Sequence, residues 1–387
     1  MSLILTFLGK DGTGRTKVAI AAAKKLALQG KKVLLATQDT SPAFGLLLGV
    51  TLSPDPQELS PNLYGVQFQT SLLLERSWEE VKILEAQYLR MPLIKEVYGQ
   101  ELGVLPGMDS ALALNAIREY DKSGKYDAIV YDGIGDQNTL RMFGMPEVLS
   151  WYLRRFQNIF SNSDLGRTLL PFLQPIASAV LNINLTPDKL SQTNKATNLL
   201  EEGRKAIADP NRVAAYLVTT GDPSSIATAK YLWGSAQQVG LTVGGVILNQ
   251  AILPDWVAGE LGEDLGQVYE KFDRDAITNT VTSEFAPLQI SSIPHLVGED
   301  WQALINAMPD FSQMATVPRP MEVDLATRQV KLFLPSFDKK QVKLTQNGPE
   351  VTLEAGDQRH NIELPPQLSG QSVKGAKFQN NYLILSF

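Results

Sequence analysis

Residues 9–16 read Gly-Lys-Asp-Gly-Thr-Gly-Arg-Thr and follow the apolar run Leu3–Leu8. Gly9 and Gly14 have the spacing of a phosphate-cradling turn, in which Gly, four residues, Gly, Lys and Ser or Thr succeed one another. Thr16 supplies the hydroxyl that would hold Mg²⁺, and Arg15 stands where the phosphate-gripping lysine normally does. Glycine suits such a turn because it takes tight backbone angles and lets bare N–H groups reach phosphate oxygens, space that a side chain at Gly14 would fill. Arginine keeps the charge but is longer and planar, so it does not replace a compact ammonium at a tight corner. Two outcomes follow from Arg15: a working nucleotide site, or a loop that keeps its fold and has lost turnover.

A loop of this kind works only between a buried strand and a helix. Residues 17–29, Lys-Val-Ala-Ile-Ala-Ala-Ala-Lys-Lys-Leu-Ala-Leu-Gln, are rich in helix formers and stop at Gly30. The start of that helix points free amides and positive dipole at the anion. Similar apolar runs recur at residues 32–37, 128–131, 215–220, 244–248 and 289–293, with helical segments between them. Continuous apolar strands separated by helices imply a parallel, doubly wound α/β sheet covered on both faces. Asp132 ends one such strand and would orient Mg²⁺ at the ligand edge of the sheet, although a strand-end aspartate is as often a turn residue. Asp39 holds the same place on the second strand. Asn249, ending the run at 244–248, offers an amide that could read an adenine edge, or could simply form a turn.

The composition narrows the chemistry. The chain has 387 residues, 44% of them hydrophobic, enough for two or three domains with a sizeable core. A formal charge of −6 weighs against nucleic acid as a partner. The absence of cysteine excludes disulfides, thiolate metal sites and cysteine nucleophiles, and His295 and His360 alone cannot build a histidine metal cluster. No stretch approaches the roughly 18 apolar residues of a membrane span, and no secretory leader is evident, so the expectation is a soluble cytoplasmic chain.

The α/β pattern covers about residues 1–311. Two stretches, about 65–125 and 147–208, are too long for simple crossovers and carry helical spacing, as in Trp78, Val81, Leu84 and Tyr88. They read as a helical subdomain inserted into the nucleotide-binding core, with an unusually apolar segment at residues 169–181. Residues 312–326, with Pro318 and Pro320, read as a linker. Short period-two runs from 327 to 387 predict a small antiparallel β-sandwich of about 60 residues.

With these residues in view, the chain resembles the ArsA-like ATPases, the family of arsenite-pump ATPases and tail-anchored-protein targeting factors. The family's deviant Walker A loop reads Gly-Lys-Gly-Gly-x-Gly-Lys-Thr, so Gly9, Lys10, Gly12, Gly14 and Thr16 match while Asp11 and Arg15 depart. Residues 105–112 are similar to the family's Pro-Gly-x-Asp-Glu-Ala segment. Residues 132–141 resemble its switch segment, with Asp132, Thr139, Leu140 and Arg141 carried over. The resemblance implies a P-loop NTPase fold binding ATP or ADP with Mg²⁺. Nucleotide would lie against Gly9, Lys10, Asp11, Gly12, Thr13, Gly14, Arg15, Thr16 and Lys17, with Asn249 and Pro294 near the base. Thr16, Asp39 and Asp132 would serve the metal, and Lys10, Arg15, Asp39 and Asp132 the reaction, Lys10 by reaching across a homodimer to the partner's nucleotide. The tail, including residues 359–365 and 375–387, looks like the α-crystallin-like (small heat-shock) domain appended to a cyanobacterial and plastid-type branch of the family.

The departures have chemical consequences. Aligning Asp39 with the first aspartate of the family's first switch puts Leu46 where the water-orienting aspartate stands, and leucine accepts no proton. Without cysteine, neither a zinc-bridged dimer nor arsenite sensing is open to this chain. Two functions follow: a slowly hydrolysing homodimeric switch that presents an apolar surface to hydrophobic clients such as tail anchors, or a catalytically silent nucleotide-binding scaffold acting through the β-sandwich. Partition and nitrogenase-type ATPases share the loop but do not account for the tail.

Overall fold

The computed structural model describes residues 1–88, 104, 107–162, 193–250, 274–294, 296, 301–311, 317–348 and 350–387. The apolar segment 169–181 lies outside them. The first strand, β1 (Leu3–Leu8), is central in an eight-stranded sheet. The other strands of the sheet are β2 (Val33–Thr37), β3 (Gln57–Ser60), β4 (Leu63–Gln67), β5 (Ala128–Asp132), β6 (Val213–Thr219), β7 (Val243–Gln250) and β8 (Ile290–Pro294). The order across the sheet is β3-β4-β2-β5-β1-β6-β7-β8, and every pairing is parallel except β3 with β4.

Each central strand is apolar on both sides because helices cover both sides. Along β1, Ile4 and Leu8 enter one buried cluster while Leu5 and Phe7 enter the other. The second cluster is closed by α1 (Arg15–Leu28), whose Ala19, Ala21, Ala22 and Ala23 are fully buried. A run of alanines makes a thin helix that lies close to the sheet and keeps high helical propensity. Helix α2 (Pro42–Leu48) follows β2, capped by Ser41. The other face carries α4 (Met108–Lys122), α5 (Gln137–Asn162), α6 (Thr193–Ala208) and α7 (Pro223–Gln238), with α3 (Thr70–Tyr88) packed against α4. Helix α8 (Arg274–Phe285) precedes β8, and α9 (Gln302–Ala307) packs against α1.

The six strands expected from apolar runs are all present, and the parallel sheet with its covering helices is the expected architecture. Residues 65–67, assigned by spacing to the helical insertion, instead end β4. Its partner β3, Gln-Glu-Leu-Ser, carries almost no apolar signature because it pairs on one side only, at the sheet's exposed rim. Helix α4 likewise belongs to the layer on the sheet, its Ala113, Ala116 and Ile117 packing with Ile4 and Ile129. The second insertion begins inside α5, which starts at Gln137 and runs through Pro146 without a break.

The C-terminal segment forms two antiparallel sheets. One is ordered β14-β15-β10-β9 and the other β11-β12-β13. These are β9 (Met321–Asp324), β10 (Gln329–Phe333), β11 (Val342–Asn347), β12 (Glu350–Ala355), β13 (Gln358–Glu363), β14 (Gly375–Gln379) and β15 (Tyr382–Ser386). Residues 321–324, expected in the linker, are therefore an edge strand paired to β10. Between the sheets lies a core of Val330, Leu332, Val351, Leu353, Ile362 and Leu385, one face of each strand, as the alternation predicts. The sandwich is also fused to the α/β core. Trp233 of α7 packs edge-on to Phe333 at 5.6 Å and 67°, and a Cβ at Gly234 would stand 2.3 Å from the Pro335 carbonyl oxygen.

Candidate functional site

Parallel topology delivers the carboxyl ends of β1, β2 and β5 to one edge of the sheet, and the chemistry gathers there. The loop 9–14 leaves β1 and turns into α1 through Gly12 (φ +84°) and Gly14 (φ +90°), angles that glycine takes without strain. The turn is closed by Thr13, whose amide and hydroxyl both donate to the Lys10 carbonyl. A Cβ at Gly9 would approach the Val218 carbonyl oxygen to 2.3 Å, so β6 requires a glycine there.

Gly14 is also required by the protein itself, since a Cβ there would strike Asn249 Nδ2 at 2.4 Å. Asn249 is buried, and its Nδ2 donates to the Thr13 carbonyl oxygen at 2.9 Å. The amide expected to read adenine thus has a donor committed to bracing the loop. Pro294 is exposed at the end of β8, in register with Gln250.

Ser41 caps the start of α2 and Asp222 that of α7 with their side chains, whereas α4 and α9, like α1, start without a side-chain cap. Asp222 sits well below the usual carboxylate range, because burial raises it less than the bonds from Ser224, Thr220 and Ser225 lower it. The start of α1 has neither a side-chain cap nor an acidic residue in its first turn. Its orphan amides and dipole are therefore available to an external anion.

Arg15 is folded back over the loop. Its guanidinium donates to the Gly9 carbonyl oxygen through Nη1 and pairs with Asp11 through Nη2 at 2.8 Å. The Arg15 side chain is 13% exposed and that of Asp11 91%. The two positions that depart from the family loop therefore pair with each other, four residues apart. Lys10 is exposed and its Nζ donates to Ser224 Oγ at 2.8 Å, at the start of α7. Lys17 lies half-buried in the first turn of α1.

Asp132 is the buried carboxylate of the site. Thr16 Oγ1 lies 3.4 Å from its Oδ1 and Thr37 Oγ1 3.4 Å from its Oδ2. Burial pushes its carboxyl up from 3.8 to about 6, against the pull of the Thr16 bond, the Arg15 charge and the Thr37 bond, with the Asp39 charge adding to the rise. Asp39 itself is exposed and accepts from the Ser41 amide at 2.8 Å, so β2 contributes Thr37 rather than Asp39 to the buried pair of oxygens. Thr37 carries no signal of this role in the sequence, because a threonine ending a β-strand needs no special explanation. Leu46 is 78% exposed on α2.

After β5 the chain passes through residues 133–136 into α5. Gly135 accepts from the Gly9 amide at 3.0 Å and donates to Thr139 Oγ1 at 2.8 Å. A Cβ on Gly135 would lie 2.5 Å from Arg15 Nε. The loop after β5 is thus laid directly on the loop after β1.

A hard-oxygen pair of Thr16 and Asp132 beside an uncapped helix start suits Mg²⁺ carried by a phosphate. Among the described residues no group of three His, Asp or Glu could hold a metal by itself, so nucleotide oxygens and water would complete the shell. The family description "Anion-transporting ATPase" matches residues 2–314, and the description "HSP20-like domain found in ArsA" matches residues 326–387. The chain belongs to the ArsA ATPase family. Within that family it is similar to a putative arsenical pump-driving ATPase of Chlorobaculum tepidum, with 25% identity over 99% of this chain and 95% of that one. A putative arsenical pump-driving ATPase of Aquifex aeolicus is 22% identical over 99% of both chains. An ATPase ASNA1 homologue of Cryptosporidium parvum is 22% identical over 64% of each. The ArsA-type ATPase architecture and the appended HSP20-like sandwich are therefore as expected. Among the described residues no helix is long and apolar enough to cross a membrane.

Proposed function

We propose that this chain is an ATP-binding switch that acts as a cytoplasmic homodimer, hydrolyses ATP slowly, and handles hydrophobic protein segments such as tail anchors. The observation that carries the reading is the convergence at one sheet edge of an uncapped helix start, a glycine-built loop, and the Thr16–Asp132–Thr37 cluster. Client handling rests on the resemblance to targeting factors.

In this reading the α1 amides and Arg15 hold phosphate, Arg15 exchanging the Gly9 carbonyl and Asp11 for the ligand. Thr16, with Asp132 behind it, holds Mg²⁺, which when bound neutralises phosphate charge and polarises the terminal phosphoryl group. Asp132 must be ionised to do so, and below about pH 6 the proton competes with the cation. Lys10 leaves Ser224 for the nucleotide of a second copy. Leu46 offers attacking water no acceptor, so turnover is slow. Nucleotide shifts the dimer between arrangements only by binding one of them better.

The second reading, a silent scaffold, draws on Arg15 folded into its own loop and on Leu46. Phosphate release by wild type, Lys10→Ala and Arg15→Lys separates the two. Slow release lost in Lys10→Ala supports the switch. Tight ATP binding with no release in any of the three supports the scaffold. Failure of the dimer to keep a hydrophobic segment soluble, with or without ATP, removes client handling.

A further inference from the structure

Helix α5 begins two residues after Gly135, the residue bonded to the phosphate loop, and then runs along the C-terminal sandwich. One side of it is joined to the β12–β13 hairpin at successive turns. Gln358 Nε2 donates to Gln137 Oε1 at 2.7 Å, and Asp357 pairs with Arg141. Further along, His360 Nε2 lies 3.0 Å from Glu147 Oε1, and Trp151 Nε1 donates to Glu350 Oε2 at 3.1 Å. Gln137 also donates to the buried Ser235 hydroxyl of α7 at 2.9 Å, which ties the start of α5 on two sides.

Helix α7 repeats the arrangement. Its Ser224 receives Lys10, its Tyr231 hydroxyl accepts from the Asp357 amide at 3.1 Å, and its Gln238 donates to the Ala355 carbonyl oxygen at 3.1 Å. Both helices thus start at the phosphate loop and lie against the same hairpin.

We infer that the sandwich is a working part of the nucleotide site, with Asp357 and Gln358 as positioning residues that hold the start of α5 and, through Gly135, the phosphate loop in its binding arrangement. The inference rests on the nucleotide-site reading above. Arg141 and Asp357 are 54% and 67% exposed, and such a pair adds little to stability by itself. Attachment of the sandwich does not depend on it, because Trp233, Phe333 and Gln238 already bury that junction. What the two residues do is restrict where the first turn of a rigid helix can sit. A site held in its bound geometry has less ordering to lose when ligand arrives.

The test is made on the full chain. Mg-ATP affinity, ATP turnover and thermal midpoint are measured for wild type, Asp357→Asn, Gln358→Ala, the double variant, and Lys343→Ala, an exposed β11 residue paired with Glu354 of β12. The double variant should bind Mg-ATP roughly three- to tenfold more weakly, the equivalent of about 0.7–1.4 kcal/mol. Its thermal midpoint without nucleotide should stay with that of the Lys343→Ala control. Asp357→Arg should lose affinity too, and Asp357→Arg with Arg141→Asp should recover part of it, which a packing role would not produce. Unchanged or tighter binding in the double variant overturns the inference while leaving the nucleotide site intact. A wild type that binds no Mg-ATP removes the nucleotide-site reading, and the inference goes with it.

Discussion

Asp132 is a carboxylate that the folded chain holds at a cost, and replacing it should reveal that cost. Burial raises its carboxyl from 3.8 to about 6, with Thr16, Arg15 and Thr37 pulling the other way. At 1.36 kcal/mol per pH unit, the gap corresponds to about 3 kcal/mol as an upper figure. Because the folded-state value is the higher one, the protonated form is favoured by folding. That stabilisation is complete below about pH 3.8 and is lost as pH rises through about 6. At pH 7.5 wild type therefore carries a buried charge with only weak partners. Asp132→Asn keeps the shape and one acceptor for the two threonines without the charge. In thermal scans of nucleotide-free protein its midpoint at pH 7.5 should lie a few degrees above wild type, with the difference closing toward pH 4. With saturating Mg-ATP the order should reverse, since wild type gains stability by binding and the variant does not. An Asn variant less stable than wild type at pH 7.5, with the same pH profile, would refute the reasoning.

Asp11→Asn should tighten ATP binding by roughly two- to fivefold, since it frees Arg15 from an exposed pair worth about 0.2–1 kcal/mol. Calorimetry checks this, and weaker binding would mean that Asp11 helps hold the ligand. Gly14→Ala should lower the thermal midpoint as well as nucleotide affinity, because its Cβ meets Asn249 at 2.4 Å with φ at +90°. The cost should be about 1–3 kcal/mol, and pairing it with Asn249→Ala should relieve the clash but not the backbone strain. Gly234→Val should destabilise by about 2–3 kcal/mol, as overpacking does, because it drives α7 from Pro335 and Phe337. Hydrogen exchange should localise that loss to α7 and β10.

Much of the architecture was legible because parallel strands covered on both faces must be apolar throughout, as in β1, β2, β5 and β6. The sandwich announced itself by alternation, and the loop by Gly9, Gly14 and Thr16. The edge strands β3 and β9 were not legible, because strands exposed at an edge need no apolar code, and β4, buried between β3 and β2, fell where helical spacing was expected. Within the site, spacing placed Asp132 and Thr16 correctly together. It did not give Thr37, whose role depends on strand register with β5, or the bond from Asn249 to Thr13, which joins residues 236 apart. Nor did it give the mutual pairing of Asp11 and Arg15, because the chain between them turns through Gly12 and Gly14 at positive φ and the four-residue pairing rule holds only within a helix. The contacts of α5 with the sandwich were not legible either, because Gln137, Arg141 and Glu147 read as a solvated face until a second domain is laid against them.

The central claim is that the turn into α1 holds a magnesium nucleotide. Titration calorimetry of the folded full chain with Mg-ATP, alongside its mass in solution, tests this most directly. Saturable uptake by wild type, lost in Gly14→Ala and accompanied by a mass of two chains, is the expected result. No heat of binding at millimolar Mg-ATP or Mg-ADP, on protein with a normal thermal transition, would contradict it.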